Sequence, residues 1–450
     1  MNATPSNSAA AARAQAADPA HQEAFDIGFE SFLWGYPYVK TMLLKNEATN
    51  PASANHAPFN QFRCFDTLAK PGFHDFTPTV ELLMNVAWLD MSQGPVLLHV
   101  PAIEGRYWSV QVTDSAGNSM EYLGSRLGTA AGTYAYVPKG WRGALPRGVR
   151  GIEVSSRFAQ ILARALVRPT LPGDVAEGAR LNRLVRLETL NPAASFATLP
   201  ADQAPVSAKP SSPVFNSLDF FAALNAAIAE GGLLPGEETI AAKFAGLGIG
   251  PGCRFDRAAL SEAQRNGLQE GLRAASEKLA ESMLGTAERF GTWFFNYKVG
   301  IYGDDHLTRS LAACFGYGAM VPQEALYGFA MTDEQGAPLS GERRYSIRFE
   351  ADAFPPVGAF WSITLYSRPD NQLVVNPIDR YSVSSETAGL HYAKDGSMTI
   401  HLRHAAPQGE AAANWLPAPV GAFWLILRTY VPQAPLLDHR YTPPAVVRAV

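Results

Sequence analysis

The spacing of apolar residues changes period along the chain. Phe25, Phe29, Phe32 and Tyr36 recur at helical intervals from His21 onward. Pro37 is expected to disturb that helix, because proline lacks the N–H that a helix interior uses. Residues 1–20 read as a flexible tail, and residues 45–75 as irregular chain rich in Asn, Pro and Phe. A period of two then takes over. Val96, Leu98 and Val100 alternate with Leu97 and His99, and Trp108, Val110 and Val112 alternate with Ser109, Gln111 and Thr113. Thr133–Val137 and Gly151–Ser155 look similar, and Gly and Pro punctuate the intervals.

The helical period returns in the middle. Leu218, Phe221, Leu224 and Ile228 share one face, with Ser217 as the expected cap and Gly231 as the stop. Ile240, Phe244 and Leu247 suggest a short helix, and Leu268, Leu272, Ala275, Leu279 and Met283 a long one. Strand periodicity resumes at Tyr345–Phe349 and Met398–Leu402. The expected architecture is mainly β with a helical segment. It comprises a tail over 1–20, a β-sandwich with an N-terminal helix over 21–175, a mainly helical region over 176–310 and a second β-sandwich over 311–450.

One hexapeptide occurs twice, as Pro356–Trp361 and as Pro419–Trp424, each running into an apolar strand. A weaker echo, Gly105 to Val110, lies in the first half. The repeated Trp can be a buried sandwich residue or an aromatic platform for a ligand.

Composition narrows the class. Charged residues make up 17% of the 450 residues, hydrophobic residues 47%, and there are 33 Pro and 38 Gly. Disordered chains are less apolar and carry more net charge. A net charge of -4 lacks the basic excess of a nucleic-acid binder. Three cysteines, Cys64, Cys253 and Cys314, are too few for a disulfide framework. The longest apolar runs fall far short of the roughly 20 residues of a membrane span. The Ala-rich start shows no apolar signal core, so the expected location is cytoplasmic, or periplasmic if a signal has been removed.

The stretch Asn85–Asp90, followed by Gly94–Val96 and Tyr107–Asp114, resembles the domain of unknown function 1254. Phe360–Tyr366, Arg380–Ser382, Asp395–Ser397 and Asn414–Pro419 resemble the domain of unknown function 1214. The resemblance implies an N-terminal β-sandwich, a helical segment and a C-terminal jelly-roll-like sandwich. It transfers no catalytic residue.

Standard catalytic motifs do not occur: there is no G-x-S-x-G, H-E-x-x-H or Walker A loop. Gly246–Gly252 is glycine-rich but follows a helix, the reverse of a Rossmann phosphate loop. For metal chemistry, the mixed-ligand loop clusters are His74 with Asp75 and Asp304 with His306; a divalent ion is the cofactor they could hold. His401 and His404, three apart on a strand, face opposite sides. For carboxylate chemistry, Asp90 and Asp114 end strands and could do acid/base work at a cleft rim; Asp114 can equally be a turn residue. Arg380 and Arg428 need a carboxylate, a carbonyl or a ligand anion, because Arg428 lies inside an apolar strand.

The expected site therefore has Asp90, Asp114 and Arg380 as catalytic groups. Tyr107, Arg126, Trp361, Asn414 and Trp415 would bind substrate. The leading expectation is a hydrolase acting on a small molecule or saccharide in a cleft between two sandwiches. A non-catalytic carbohydrate- or envelope-associated binding protein and a metal-dependent enzyme are the alternatives, and a homo-oligomer is compatible with each. Convergence of the site residues in one pocket would favour the enzyme.

Overall fold

The structure, a computed structural model, describes residues 18–54, 56–73, 77–196, 205–282 and 286–449. The chain opens with a long helix, α1 (Pro19–Thr49), capped by the Asp18 carboxylate on the Ala20 N–H. Nine strands follow: β1 (Arg63–Cys64), β2 (Leu82–Asp90), β3 (Val96–Val100), β4 (Trp108–Thr113), β5 (Ser119–Gly124), β6 (Gly132–Pro138), β7 (Arg150–Val154), β8 (Phe158–Leu166) and β9 (Arg186–Thr189). Helix α2 (Asp174–Leu184) lies between the last two. The strands form two sheets, β1-β2-β8-β4-β5 and β7-β6-β3-β9. Ala87, Leu89, Leu98, Val110, Val112, Tyr136, Ile152 and Ile161 fill the space between them. This is the N-terminal sandwich. β9 lies inside the stretch expected to be helical, yet it pairs with β3 through Leu98↔Leu187.

Helices α3 (Asp219–Gly231), α4 (Glu238–Phe244) and α5 (Glu262–Glu281) come next, then strands β10 (Glu288–Phe290) and β11 (Trp293–Phe295), and helix α6 (His306–Phe315). Ser217 does not cap α3: its hydroxyl is buried without a partner, and Leu218 occupies the cap position. The last expected apolar position of α5, Met283, lies outside the described residues. The C-terminal jelly-roll-like sandwich adds β12 (Ala325–Ala330), β13 (Arg344–Phe349), β14 (Trp361–Ser367), β15 (Ser382–Ser384), β16 (Met398–Arg403), β17 (Trp415–Pro417), β18 (Phe423–Tyr430), helix α7 (Ala434–Leu437) and β19 (Val447–Ala449). Its sheets run β10-β11-β12-β18-β14-β15 and β17-β16-β13-β19.

Helix α1 continues through Pro37, against expectation. Pro37 cannot donate to the Leu33 carbonyl. The Ser310 hydroxyl of α6 donates to that carbonyl instead, and Arg309 adds a bond to the Trp34 carbonyl at 3.2 Å. Arg309 also pairs with Glu237, which accepts from Trp34 Nε1 at 2.8 Å and from the Tyr38 hydroxyl at 2.6 Å. α6 thus supplies from outside what the proline removes. On another face α1 meets α5 backbone to backbone. A Cβ on Gly271 would sit 2.1 Å from the Phe25 carbonyl oxygen, and one on Gly267 2.3 Å from that of His21.

The two copies of the repeated hexapeptide begin β14 and β18, which are antiparallel neighbours. They use opposite faces. Trp361 points into the C-terminal core against Phe349, at 5.1 Å between ring centres. Trp424 points outward and stacks on Phe329 at 5.9 Å. An aromatic pair presents one ring to each face of a strand, so the same sequence works in either register.

Both faces of the central strands are covered. Every residue of β4, β8 and β18 is buried, and β14 is buried except at Ser367. Outside the N-terminal core, the β2–β8 face meets α1 through Trp88, Phe158 and Leu44. The same sheet meets the C-terminal sandwich through Leu82, Tyr107, Tyr122, Leu166, Phe360 and Tyr430.

Gly271→Ala should destabilise the protein by about 3 kcal/mol, since neither backbone can retreat from the new methyl. Ser310→Ala should cost about 1–2 kcal/mol by leaving the Leu33 carbonyl unpaired. Urea denaturation of both variants checks this; an unchanged midpoint for Ser310→Ala would remove the account of Pro37.

Candidate functional site

The expected site residues do not converge. Asp90 ends β2 and is fully buried. Arg157 grips it with two bonds, Nε to Oδ1 at 3.1 Å and a terminal nitrogen to Oδ2 at 2.8 Å, and the Ser92 N–H adds a third at 2.9 Å. Burial alone would raise its pKa; the Arg157 and Ser92 bonds outweigh that and hold it below the usual carboxylate range. Asp114 closes the turn after β4. Its Oδ1 accepts from the Ala116 and Asn118 N–H groups at 2.9 and 3.0 Å, and its Oδ2 from the Asn118 amide at 2.9 Å. It is an Asx-turn residue. Burial pushes its pKa up, against those bonds and the Arg309 charge. The neighbouring cavity, walled by Ala116, Tyr302, Arg309 and Tyr317, leaves no room for a water molecule.

Arg380, Asn414 and Trp415 do meet, in the C-terminal sandwich, but on backbone. Arg380 donates to the Ala413 and Trp415 carbonyls at 2.7 and 3.0 Å. Asn414 clamps His391, accepting from its N–H at 2.8 Å and donating to its carbonyl at 2.7 Å. Trp415 Nε1 donates to the Arg403 carbonyl at 2.8 Å. These bonds hold loops in place. Trp361, expected to bind substrate, is enclosed in the core.

Of the loop ligands, His74 and Asp75 lie outside the described residues. Asp304 lies in an exposed turn, but His306 does not share that loop: Asp305 caps α6 through the Thr308 N–H at 2.9 Å, and His306 is that helix's first residue. His306 Nδ1 faces Arg309 at 3.3 Å, and burial, then Arg309, lowers its pKa. Among the described residues, no three His, Cys, Asp or Glu side chains gather as metal ligands.

Tyr107 and Arg126 converge on a residue that sequence reasoning missed. The Tyr107 hydroxyl donates to Glu324 Oε1 at 2.7 Å, and Arg126 pairs with Glu324 Oε2. Glu324 belongs to a polar layer between the sandwiches that also holds Arg164 of β8, Gln111 and Arg428. Among the described residues Arg428 has no salt-bridge partner; it donates to the Thr364 hydroxyl at 3.1 Å and to the Thr77 carbonyl at 2.8 Å. The signal for Arg164 was present in the sequence: it interrupts an apolar run, Phe158–Leu166, just as Arg428 interrupts Phe423–Tyr430.

A solvent-open cleft of about 750 Å³ lies elsewhere, between the edge strands β1 and β9 of the N-terminal sandwich. Phe59, Phe62, Val185, Leu187 and Phe196 give it an apolar lining; Asn60, Cys64, Arg183, Glu188 and Thr189 add polar groups. Asn60 is fixed by two bonds to the Asp90 backbone, each 3.1 Å. Burial raises the pKa of the Cys64 thiol, and Asp66 adds to the rise. Arg183 pairs with Asp66, and Glu188 with His99 at 3.0 Å.

Two sandwiches locked face to face, with a helical layer over one of them, define the class. The family model for the protein of unknown function DUF1254 matches residues 59–188, and that for DUF1214 matches 324–434. The chain belongs to the proteins that carry these two domains in tandem. In solved structures it is similar to the VPA0106 protein from Vibrio parahaemolyticus, with 22% identity, a TM-score of 0.70, and coverage of 95% of this chain and 100% of that one. That likeness concerns the fold. An uncharacterized protein from Burkholderia cenocepacia aligns over 96% of this chain and 94% of its own at 12% identity, with a TM-score of 0.46. No curated protein matches the chain. Among the described residues, no helix is long and apolar enough to cross a membrane.

The Asp90 carboxyl binds its proton less tightly when folded than when unfolded. Its stabilisation is therefore complete above the ordinary Asp value of about 3.9 and is lost as pH falls through the lower native value. Asp90→Asn should be clearly less stable than wild type at pH 6, and the gap should narrow towards pH 3. Denaturation midpoints across that range test this; a gap independent of pH would exclude the ionised pair as its source.

Proposed function

We propose that this chain is a small-molecule-binding protein whose ligand sits in the cleft between β1 and β9. The observation that carries the reading is the cleft itself. Its volume of about 750 Å³ falls in the range of sites for drug-sized ligands, roughly 300–1,000 Å³. Three phenylalanines line it, which suits a flat or aliphatic ligand body. The Thr189 and Arg183 side chains supply the few polar contacts that orient such a ligand. The carboxylates expected to do hydrolytic work lie outside this cleft: Asp90 is held by Arg157 and Asp114 by its own turn. Non-catalytic binding is therefore the reading the geometry favours over hydrolysis.

A thermal-shift screen of saccharides, aromatic acids and short aliphatic acids, followed by calorimetry of the hits, tests this. Leu187→Arg plants a charge on the cleft lining from a half-buried strand position, so the fold should survive. Cleft ligands should bind this variant at least about tenfold more weakly, the equivalent of roughly 1.4 kcal/mol. Hits that bind Leu187→Arg as tightly as wild type would place the ligand elsewhere.

A further inference from the structure

The two sandwiches are one unit repeated. Strands β1 to β9 recur in order as β11 to β19. The sheet β1-β2-β8-β4-β5 matches β11-β12-β18-β14-β15, with β10 added outside it, and β7-β6-β3-β9 matches β17-β16-β13-β19. The parallel pair is the same one in each unit, β6 with β7 and β16 with β17. The registers coincide as well. Ser109 lies across from Arg164 and Ser362 across from Arg428, with Met84 and Tyr327 on the far side of each arginine. Further along the chain from Met84 and Tyr327, Asp90 and Asp333 fall at the same position. Each accepts from the N–H two residues on, Ser92 at 2.9 Å and Gln335 at 3.1 Å, and each pairs with an arginine. On the neighbouring strand Cys64 matches Phe295, so Phe62 matches Trp293 and Gln61 matches Thr292.

The copies differ at one edge. In the C-terminal unit the chain itself closes the gap between β11 and β19. Trp293 Nε1 donates to the Pro444 carbonyl at 2.8 Å, and the Thr292 hydroxyl accepts from the Val446 N–H at 3.1 Å. The Glu334 N–H donates to the Val446 carbonyl at 3.0 Å, and its carboxylate accepts from the Arg448 N–H at 2.9 Å. The Trp293 indole is fully buried. In the N-terminal unit the corresponding gap, between β1 and β9, is the open cleft, and Gln61 and Phe62 both line it. A phenyl ring is smaller than an indole and carries no N–H. β9 presents the same row of backbone groups that the chain satisfies on β19. The Leu190 N–H donates to the Pro95 carbonyl at 3.0 Å, so by the alternation of an antiparallel ladder Leu187 and Thr189 turn their N–H and C=O groups away from β3. Both residues line the cleft, and among the described residues neither main chain has a partner on that side.

We propose that the ligand of this cleft is an aromatic amide. Its ring takes the place beside Phe62 that the Trp293 indole fills in the other unit. Its amide exchanges two hydrogen bonds with the N–H and carbonyl of Leu187. This rests on the reading of the cleft as a small-molecule site and adds the class of ligand. An amide carries a donor and an acceptor, the pair that a strand edge offers and takes. Phe59, Phe62 and Phe196 line the space for the ring.

The probe is N-acetyl-L-tryptophanamide, titrated into the full chain by calorimetry. Two fragments accompany it: N-acetylglycinamide, which lacks the ring, and 3-methylindole, which lacks the amides. The probe should bind, and each fragment should bind at least about tenfold more weakly. Phe62→Trp supplies an indole from the chain, as Trp293 does. It should melt at or above the wild-type temperature and weaken the probe at least about tenfold. Leu187→Arg should weaken it too, and carries the comparison alone if Phe62→Trp does not fold. No binding of the probe to wild type, 3-methylindole binding as tightly as the probe, or an unchanged probe affinity in the folded variants would each overturn the proposal. The cleft reading fails separately. Hits of other chemistry that weaken in Leu187→Arg, with the probe not binding, would sink the aromatic amide and leave the cleft as a site; if no hit weakens in Leu187→Arg, both fall.

Discussion

The structure depends on strands that have no exposed face. A sandwich strand normally turns one side to water and places its polar residues there. In β4, β8, β14 and β18 the second side is covered as well, by α1, by the other sandwich or by residues such as Ala69 and Val80. Polar side chains on these strands depend on partners inside the protein, and several find them. Gln111 bridges Ser119 and Arg164; Thr364 accepts from Arg428; Thr429 donates to the Leu326 carbonyl at 3.1 Å. The low charge content follows from the same constraint, because few positions on doubly covered strands can carry charge. The charges that do occur there form the contact between the sandwiches.

The helical layer solves a related problem. α1 must cross the face of the β2–β8 pair, yet its sequence carries a proline in mid-helix. Propensity alone would end the helix there. Tertiary contacts override it: α5 packs so closely on α1 that two glycines are required, and α6 brings Ser310 and Arg309 to the carbonyls around the break. Glu237 then gathers Arg309, Trp34 and Tyr38 into one hydrogen-bonded group. A helix with such external support can tolerate a proline that an isolated helix could not.

Periodicity made the architecture legible. Alternation found β3, β4, β6, β7, β13 and β16, and the helical spacing found α3 to α5. It failed where elements follow partners rather than pattern. β9 is a short strand with an exposed Arg186 and Glu188, recruited by pairing with β3. The candidate chemistry was less legible. Asp90 and Asp114 were chosen as carboxylates at strand ends, and such positions also need capping and loop closure, which is how the structure uses them; Arg380 and Asn414 likewise serve loop backbone. The opposite cue was the better one. A polar residue inside an unbroken apolar run has no local use, so Arg428, which stood out, and Arg164, which was passed over, both point to long-range contacts. Phe59, Phe62 and Phe196 of the cleft were invisible as a group, because they come from segments about 130 residues apart that only the sheet edges bring together.

One segment links the features that remain. The chain from Pro58 to Cys64 forms one wall of the cleft, and beyond it Ala69 and Val80 pack on Trp424 and Ile426 at the outer face of the large C-terminal sheet. Thr77 then lends its carbonyl to Arg428, and Pro78 accepts from the Tyr366 hydroxyl at 2.7 Å. Covalent continuity alone does not couple the two places; coupling requires an element with two arrangements that both places bias. The described residues at each end of the segment are anchored. Asn60 is held by both backbone groups of Asp90, and Glu81 leads directly into β2. The cleft and the arginine layer are therefore fixed to the same rigid sheet, and energetic effects at one should add to those at the other rather than modulate them.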